Sequence, residues 1–235
     1  MRIRMAVLIT LVAASTGLAK EKDKTAERLD DAVTVISEIM DTPDKGIPQD
    51  LLDKAQCIVI VPGLKKGAFI VGGKYGKGFV SCRKKGGQGW GAPATVRVEG
   101  GSVGLQIGGS ESDVVMLIMN ERGMEKLMSS KFTLGGEGEV AAGPVGRNAT
   151  AQTDAFMRAE ILSYSRSRGL FAGVSLEGST LRPDNGANEK LYGRKLTAKE
   201  ILREGKVATP AAARQLDAEL AKASPKNRSD PKSLQ

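Results

Sequence analysis

Residues 57–83 read CIVIVPGLKKGAFIVGGKYGKGFVSCR, and this stretch is the clearest indication of β-structure in the chain. Segments rich in glycine, proline and lysine separate three apolar runs, at residues 57–61, 68–71 and 79–83. Short β-branched runs between such turn signals are typical of strands in consecutive hairpins. The stretch therefore predicts an antiparallel meander whose turns lie at 62–66 and 72–78.

Helical patterns precede and follow this meander. In residues 20–41 the apolar side chains of Leu29, Val33, Ile36 and Met40 recur at helical spacing and share one face. Three further helical patterns close the chain, at residues 184–192, 197–204 and 210–223. Thr197 followed by Glu200 predicts a capping box at the start of the second. Additional strands are predicted at residues 95–98, 103–107, 114–119, 155–166 and 170–176.

Together the patterns predict one α+β domain, with a large antiparallel β-sheet or barrel-like meander bracketed by N-terminal and C-terminal helices. We assign residues 20–205 to this domain. Residues 206–235 are predicted to be a C-terminal helix and a disordered tail, which begins at Ser224 and is polar.

The first 19 residues have the pattern of a secretory signal peptide. Arg2 and Arg4 precede a short apolar run, and residues 17–19 form a small-residue cleavage pattern. The run is too short for a bilayer, which needs roughly 20 apolar residues. We expect an exported protein, periplasmic or secreted and peripherally associated with a membrane; the alternative is an uncleaved N-terminal anchor.

Composition argues against most catalytic and metal sites. Of 235 residues, 29 are glycine, which is typical of many tight turns, and none is histidine. The two cysteines cannot complete a zinc site without histidine. No nucleophile–base motif and no phosphate-binding loop is present, so we expect no enzyme, no cofactor and no metal.

Charge is segregated along the chain. No acidic residue lies between Asp53 and Glu99, although this segment contains many lysines and arginines. In the predicted meander Lys65 and Lys66 share one sheet edge with three later cations, Arg83, Lys84 and Lys85. Such a rim is suited to an anionic bilayer, near which each cation contributes on the order of 1 kcal/mol.

The candidate lipid-binding residues are this rim, two lysines at the opposite edge and one aromatic: Lys65, Lys66, Lys74, Lys77, Arg83, Lys84, Lys85 and Trp90. Leu64 and Trp90 are expected to reach the membrane interface. The alternative is a solvated basic edge that guards the strands against pairing. Nucleic acid is not expected as a partner, because few aromatics accompany the cations.

The same meander predicts two free thiols. Counted from the predicted turns, Cys57 and Cys82 flank the middle strand and lie roughly 10 Å apart. A disulfide needs Cα atoms within about 7 Å.

Several motifs in order resemble the SYLF domain family. They are AQCIVIVPGLKKG at 55–67, GGKYGKG at 72–78, WGAP at 90–93, GLQIG at 104–108, SYSRSRGLFAG at 163–173 and NEKLYG at 188–193. The resemblance covers roughly residues 25–195. It implies binding of phosphoinositides and other anionic phospholipids, and in eukaryotic members actin binding, often beside an SH3 or FYVE module.

The sequence thus predicts non-catalytic binding of anionic phospholipid at a membrane surface of the cell envelope. Because the predicted signal peptide separates the chain from cytoplasmic actin, we do not expect actin as a partner. Two alternatives stay open: a structural or protein-interaction component of the envelope, and a carrier of an apolar ligand inside the barrel.

Overall fold

The computed structural model describes residues 10–42, 46–68, 71–103, 108–136, 140–146, 159–167, 170–205 and 207–229. Nine strands form one sheet in the order β5-β9-β3-β2-β1-β4-β7-β6, and β8 also pairs with β7. The strands are β1 (Cys57–Ala68), β2 (Val71–Cys82), β3 (Ala94–Val103), β4 (Gly108–Ile118), β5 (Phe132–Thr133), β6 (Val140–Ala142), β7 (Ile161–Ser167), β8 (Leu170–Gly173) and β9 (Ser179–Pro183). All pairs are antiparallel except β6 with β7. The predicted α+β class with a large sheet is confirmed.

Helices lie before and after the strands in the described part of the chain, as predicted. They are α1 (Thr10–Asp41), α2 (Gln49–Lys54), α3 (Glu121–Leu127), α4 (Asn185–Tyr192), α5 (Ala198–Leu202) and α6 (Arg214–Ala223), the last preceded by a 3-10 turn at Ala211–Ala213. The predicted capping box is present, since the Thr197 side chain accepts from the Glu200 N–H and the Glu200 carboxylate accepts from the Thr197 N–H. Within the described ranges, no helix combines the length and apolar character needed to cross a bilayer.

The alternating side chains of the strands build two apolar layers, one on each face of the sheet. On the first face Ile58 and Ile60 pack with α1, α2 and α6. On the second face Val59 and Val61 pack with α3, α5 and β9. Side chains and helices thus fill both described layers, and this packing gives the hypothesis of an apolar carrier no support.

The prediction of free thiols is wrong. Cys57 and Cys82 form a disulfide, with Cα atoms 3.9 Å apart. The error came from the turn at 62–66, because β1 instead continues through Pro62 and Gly63 to Ala68. The two cysteines then lie directly opposite each other on β1 and β2.

The prediction of a disordered tail from Ser224 is also wrong for the part that the structure describes. Ser224 and Asn227 are buried. The Asn227 side chain donates to the Ala55 carbonyl at 2.9 Å, and the Ser224 hydroxyl donates to Asp53 at 2.6 Å. Buried polar groups with partners fix this segment against α2 and the residue that follows it; residues 230–235 lie outside the described ranges.

Candidate functional site

A β-bulge in the middle of β1 sets the position of the candidate site. Between Val61 and Leu64 two residues of β1 lie opposite the single residue Asp113 of β4. Gly63 adopts φ 60°, a left-handed conformation that glycine adopts at little cost, and its N–H donates to Asp113 Oδ1 at 2.9 Å. The bulge lets β1 continue, so the lysines that follow it lie in a strand and not in a turn.

Four lysines from the paired ends of β1 and β2 form what we call the distal lysine cluster: Lys65, Lys66, Lys74 and Lys77. Lys65 is paired with Tyr75, and Lys66 with Lys74. Because successive side chains of a strand alternate between faces, Lys65, Tyr75 and Lys77 share one face and Lys66 and Lys74 share the other. The cluster therefore presents positive charge on both faces of the sheet end.

The pair of Lys66 and Lys74 concentrates this charge. Burial lowers the pKa of Lys66, and the charge of Lys74 lowers it further. The other strand neighbours of the two lysines are Ser110 and Gly100, which carry no charge. No acidic side chain of the described ranges forms an ion pair with either lysine, so the charge is available to an external anion.

Lys77 differs from the other members because it is already paired. Its Nζ lies 2.9 Å from Asp184 Oδ2. Burial opposes ionisation of Asp184, but the bonds from Lys77 and from the Ala187 N–H, with the charges of Lys77 and Arg97, hold its pKa below the usual value. Asp184 also caps α4, so Lys77 ties that helix to the sheet.

The predicted rim of Lys65, Lys66, Arg83, Lys84 and Lys85 does not form. Cys82, next to Arg83, is eight residues along β2 from Lys74, a distance of about 26 Å at 3.3 Å per residue. Lys84 and Lys85 are exposed, but they lie at the opposite end of the sheet from the distal lysine cluster.

Arg83 is buried and serves the fold. It donates to the carbonyls of Leu52, Ala55 and Ser224 and to the Ser224 hydroxyl. Its guanidinium also lies 3.8 Å from the centroid of the Trp90 ring. Burial lowers the pKa of Arg83 to about 10, against a smaller raising effect of the Asp53 charge.

The expectation that Trp90 and Leu64 reach a membrane interface is wrong, because both are 0% exposed. The Trp90 indole N–H donates to the Ser224 carbonyl at 2.9 Å. Leu64 packs in the second apolar layer. Of the eight candidate residues, the structure therefore brings together four lysines, leaves Lys84 and Lys85 exposed elsewhere, and buries Arg83 and Trp90.

Sequence reasoning missed two residues of this region, Tyr75 and Asp184. Tyr75 is 48% exposed beside Lys65, and Asp184 holds Lys77. The two-residue alternation of a strand would have placed Tyr75 between the lysines if residues 72–78 had been read as strand. Within the described ranges no group of three or more acidic or cysteine side chains is placed to hold a metal ion.

The chain is similar to known proteins of one family. A family model described as Ysc84, Las17-binding protein actin regulator, matches residues 99–223. An SH3 domain-containing protein of Schizosaccharomyces pombe is 42% identical over 170 residues, which are 71% of this chain and 39% of the relative. The SH3 domain-containing YSC84-like protein 1 of Xenopus laevis is 37% identical over 203 residues, 86% of this chain and 59% of the relative.

A third relative, LAS seventeen-binding protein 3 of Saccharomyces cerevisiae, is 38% identical over 172 residues, 72% of this chain and 37% of the relative. The matched region thus spans between 37% and 59% of the length of these relatives. The expectation that actin is not a partner finds no support here, because the family description names an actin regulator.

Proposed function

Since this chain belongs to the Ysc84 family, whose domain is also called SYLF, we propose that it binds anionic phospholipid surfaces without catalysis, through the distal lysine cluster. The observation that carries the proposal is the pair of Lys66 and Lys74, two like charges directly opposite each other on neighbouring strands. Like charges in such positions destabilise a sheet. A row of anionic head groups would offset this repulsion.

The expected strength of the interaction follows from the number of unpaired lysines. Lys65, Lys66 and Lys74 have no ion-pair partner among the described residues, although Lys65 lies opposite Glu111 of β4, whereas Lys77 is bound to Asp184. Three lysines near an anionic surface contribute about 3 kcal/mol in total, roughly a hundredfold in affinity. Such binding is sensitive to salt, because screening shortens its range.

The test is co-sedimentation of the chain with vesicles of phosphatidylcholine alone and with vesicles that contain phosphatidylglycerol, at low and high salt. The proposal predicts binding to the anionic vesicles and its loss at high salt. Equal binding to both vesicle types, or none to either, would overturn it.

We propose a protein partner as a second candidate, favoured by the name of one relative and by the description of the family. The relative is named for LAS seventeen binding, and the family description names Las17 binding and actin regulation. The distal lysine cluster would then contact an acidic protein surface. Co-sedimentation with purified actin filaments, in the absence of lipid, tests this candidate; pelleting with actin but not with anionic vesicles would favour it over the lipid proposal.

We also propose that the chain is exported and meets its lipid at an envelope membrane. N-terminal sequencing of the protein recovered outside the cytoplasm is expected to begin near Lys20. Recovery in the cytoplasm with an intact N-terminus would contradict export. Lipid binding would still be tested independently by co-sedimentation with vesicles.

A further inference from the structure

A polar groove with a volume of about 920 Å³ adjoins the distal lysine cluster. One wall is the part of α1 from Lys24 to Thr34, and the other is the start of α4. Its floor is the sheet on both sides of the β1 bulge, with Lys65, Tyr75 and Lys77 among the residues that line it. Most side chains that line the groove are therefore charged or carry a hydroxyl group, and Pro62 and Ala187 are among the few apolar ones.

Charges of both signs line the groove in nearly equal number. The described lining residues include six cations and five acids: Lys24, Arg28, Lys65, Lys77, Arg166 and Lys190, with Glu27, Asp31, Glu111, Asp113 and Asp184. Several neutralise one another, since Arg166 lies 2.6 Å from Asp113 and Lys77 lies 2.9 Å from Asp184. A strongly charged ligand would be repelled either by the cations or by the acids. A hydroxyl group both donates and accepts hydrogen bonds and can therefore bind to residues of either charge.

The floor also offers an aromatic ring. Tyr75 is 48% exposed. Its register partners in β1 and β3 are Lys65 and Glu99, so a donor and an acceptor flank the ring. A half-exposed ring between polar groups is suited to a ligand that has flat C–H faces and hydroxyl edges.

Next to Tyr75, the same face of the sheet has one row of residues without side chains. This row consists of glycines aligned in register on four neighbouring strands, Gly101, Gly73, Gly67 and Gly109. A Cβ added at Gly67 or at Gly101 would touch nothing within 4 Å. These glycines are not among the residues that line the groove, but they leave the neighbouring backbone open to the close approach of a ring.

We propose that this groove binds an uncharged oligosaccharide, with one sugar ring stacked on Tyr75 and the hydroxyls bonded to the charged walls. The proposal goes beyond the binding of anionic lipid and does not depend on it, because it uses the neutral balance of the groove and not the excess positive charge of the cluster. The sugar can be a soluble chain or the head group of a neutral glycolipid, since both present the same rings and hydroxyls.

The test is an NMR titration of the full chain with cellotetraose, maltotetraose and chitotetraose up to about 10 mM, which detects millimolar dissociation constants. A second arm uses phosphatidylcholine vesicles that contain digalactosyl diacylglycerol. We expect amide shifts around Tyr75 and the start of α4 with at least one soluble sugar, or glycolipid binding that depends on Tyr75. Shifts with a soluble sugar would identify the ligand as a free oligosaccharide, and binding to the vesicles alone would identify it as a glycolipid head group.

Three variants make the test specific. Tyr75→Ala should weaken binding about tenfold, the size of effect expected for one lost ring contact, while Tyr75→Phe should retain it. Leu170→Ala, at an exposed apolar side chain that does not line the groove, is the matched control and should bind as the wild type does. No response to any sugar in either arm, or equal weakening by Tyr75→Ala and Leu170→Ala, would overturn the proposal, whatever the anionic vesicles show.

Discussion

Replacing Lys74 by Gln is expected to stabilise the fold while it removes charge from the candidate site. Lys74 lies directly opposite Lys66, and like charges so placed cost about 0.2–1 kcal/mol. Both lysines are half-buried, so water screens their repulsion incompletely. We therefore expect Lys74→Gln to raise the free energy of unfolding by about 0.5 kcal/mol at low ionic strength.

Urea unfolding at low and high salt measures this gain. The gain should shrink at about 1 M salt, where the Debye length falls to about 3 Å. Lys84→Gln is the matched control, because it removes the same charge at the other end of the sheet, beyond the paired strands. A loss of stability in Lys74→Gln, or an equal gain in Lys84→Gln, would contradict a repulsion between Lys66 and Lys74.

The same variant should change the titration of Lys66. Burial and then Lys74 hold the pKa of Lys66 below its ordinary value of 10.5, so Lys74→Gln should raise it. At pH values between the pKa of Lys66 in the folded protein and 10.5, the unfolded chain binds more protons than the folded one. The free energy of unfolding therefore rises with pH over this range. NMR of the lysine side chains follows both titrations, and an unchanged pKa in the variant would contradict the proximity of the two charges.

Three further predictions concern the framework of the site. Cys57→Ala should cost about 3 kcal/mol of stability, because the disulfide closes a loop with a sequence separation of 25; urea unfolding of the wild type with and without dithiothreitol should show the same loss, and identical midpoints would count against the bond. Trp90→Phe should cost about 1 kcal/mol, since the buried Ser224 carbonyl loses its bond from the indole N–H and keeps the one from Arg83; reduced vesicle binding by a folded Trp90→Phe would reinstate Trp90 as a lipid contact. Gly63→Ala should destabilise by about 1–2 kcal/mol, because φ 60° is strained for alanine; thermal unfolding measures this, and an unchanged midpoint would argue against the bulge geometry.

The buried face of α1 and the cap of α5 could be predicted from the sequence because the spacing of nearby residues determines both. Leu29 and Ile36 are buried in the first apolar layer as their spacing predicted, and Thr197 with Glu200 forms the predicted cap. The apolar run from Val114 to Ile118 is the buried central strand β4, paired with β1 and β7. These features depend on residues close in sequence or on burial from both sides.

The candidate site could not be predicted because the same residue types at positions 62 and 63 are found in turns and in β-bulges. Pro62 and Gly63 indicate a turn, but a bulge uses the same residue types and leaves the strand continuous. When Pro62 and Gly63 are interpreted as a turn, the predicted register of β1 against β2 is wrong, and Cys57 no longer lies opposite Cys82. The same error placed Lys65 and Lys66 at the sheet edge that holds Arg83. The burial of Arg83 and Trp90 could not be predicted for a different reason, because their partner Ser224 is more than 130 residues away in sequence.

The most direct test of the central proposal is vesicle binding by two triple variants that lose the same charge. One variant carries Lys65→Gln, Lys66→Gln and Lys74→Gln in the distal lysine cluster. The other carries Lys84→Gln, Lys85→Gln and Lys195→Gln at exposed positions elsewhere. Co-sedimentation with phosphatidylglycerol vesicles should show about a hundredfold weaker binding for the first variant and a much smaller change for the second. Equal weakening of both would mean that net charge, and not the distal lysine cluster, carries the interaction.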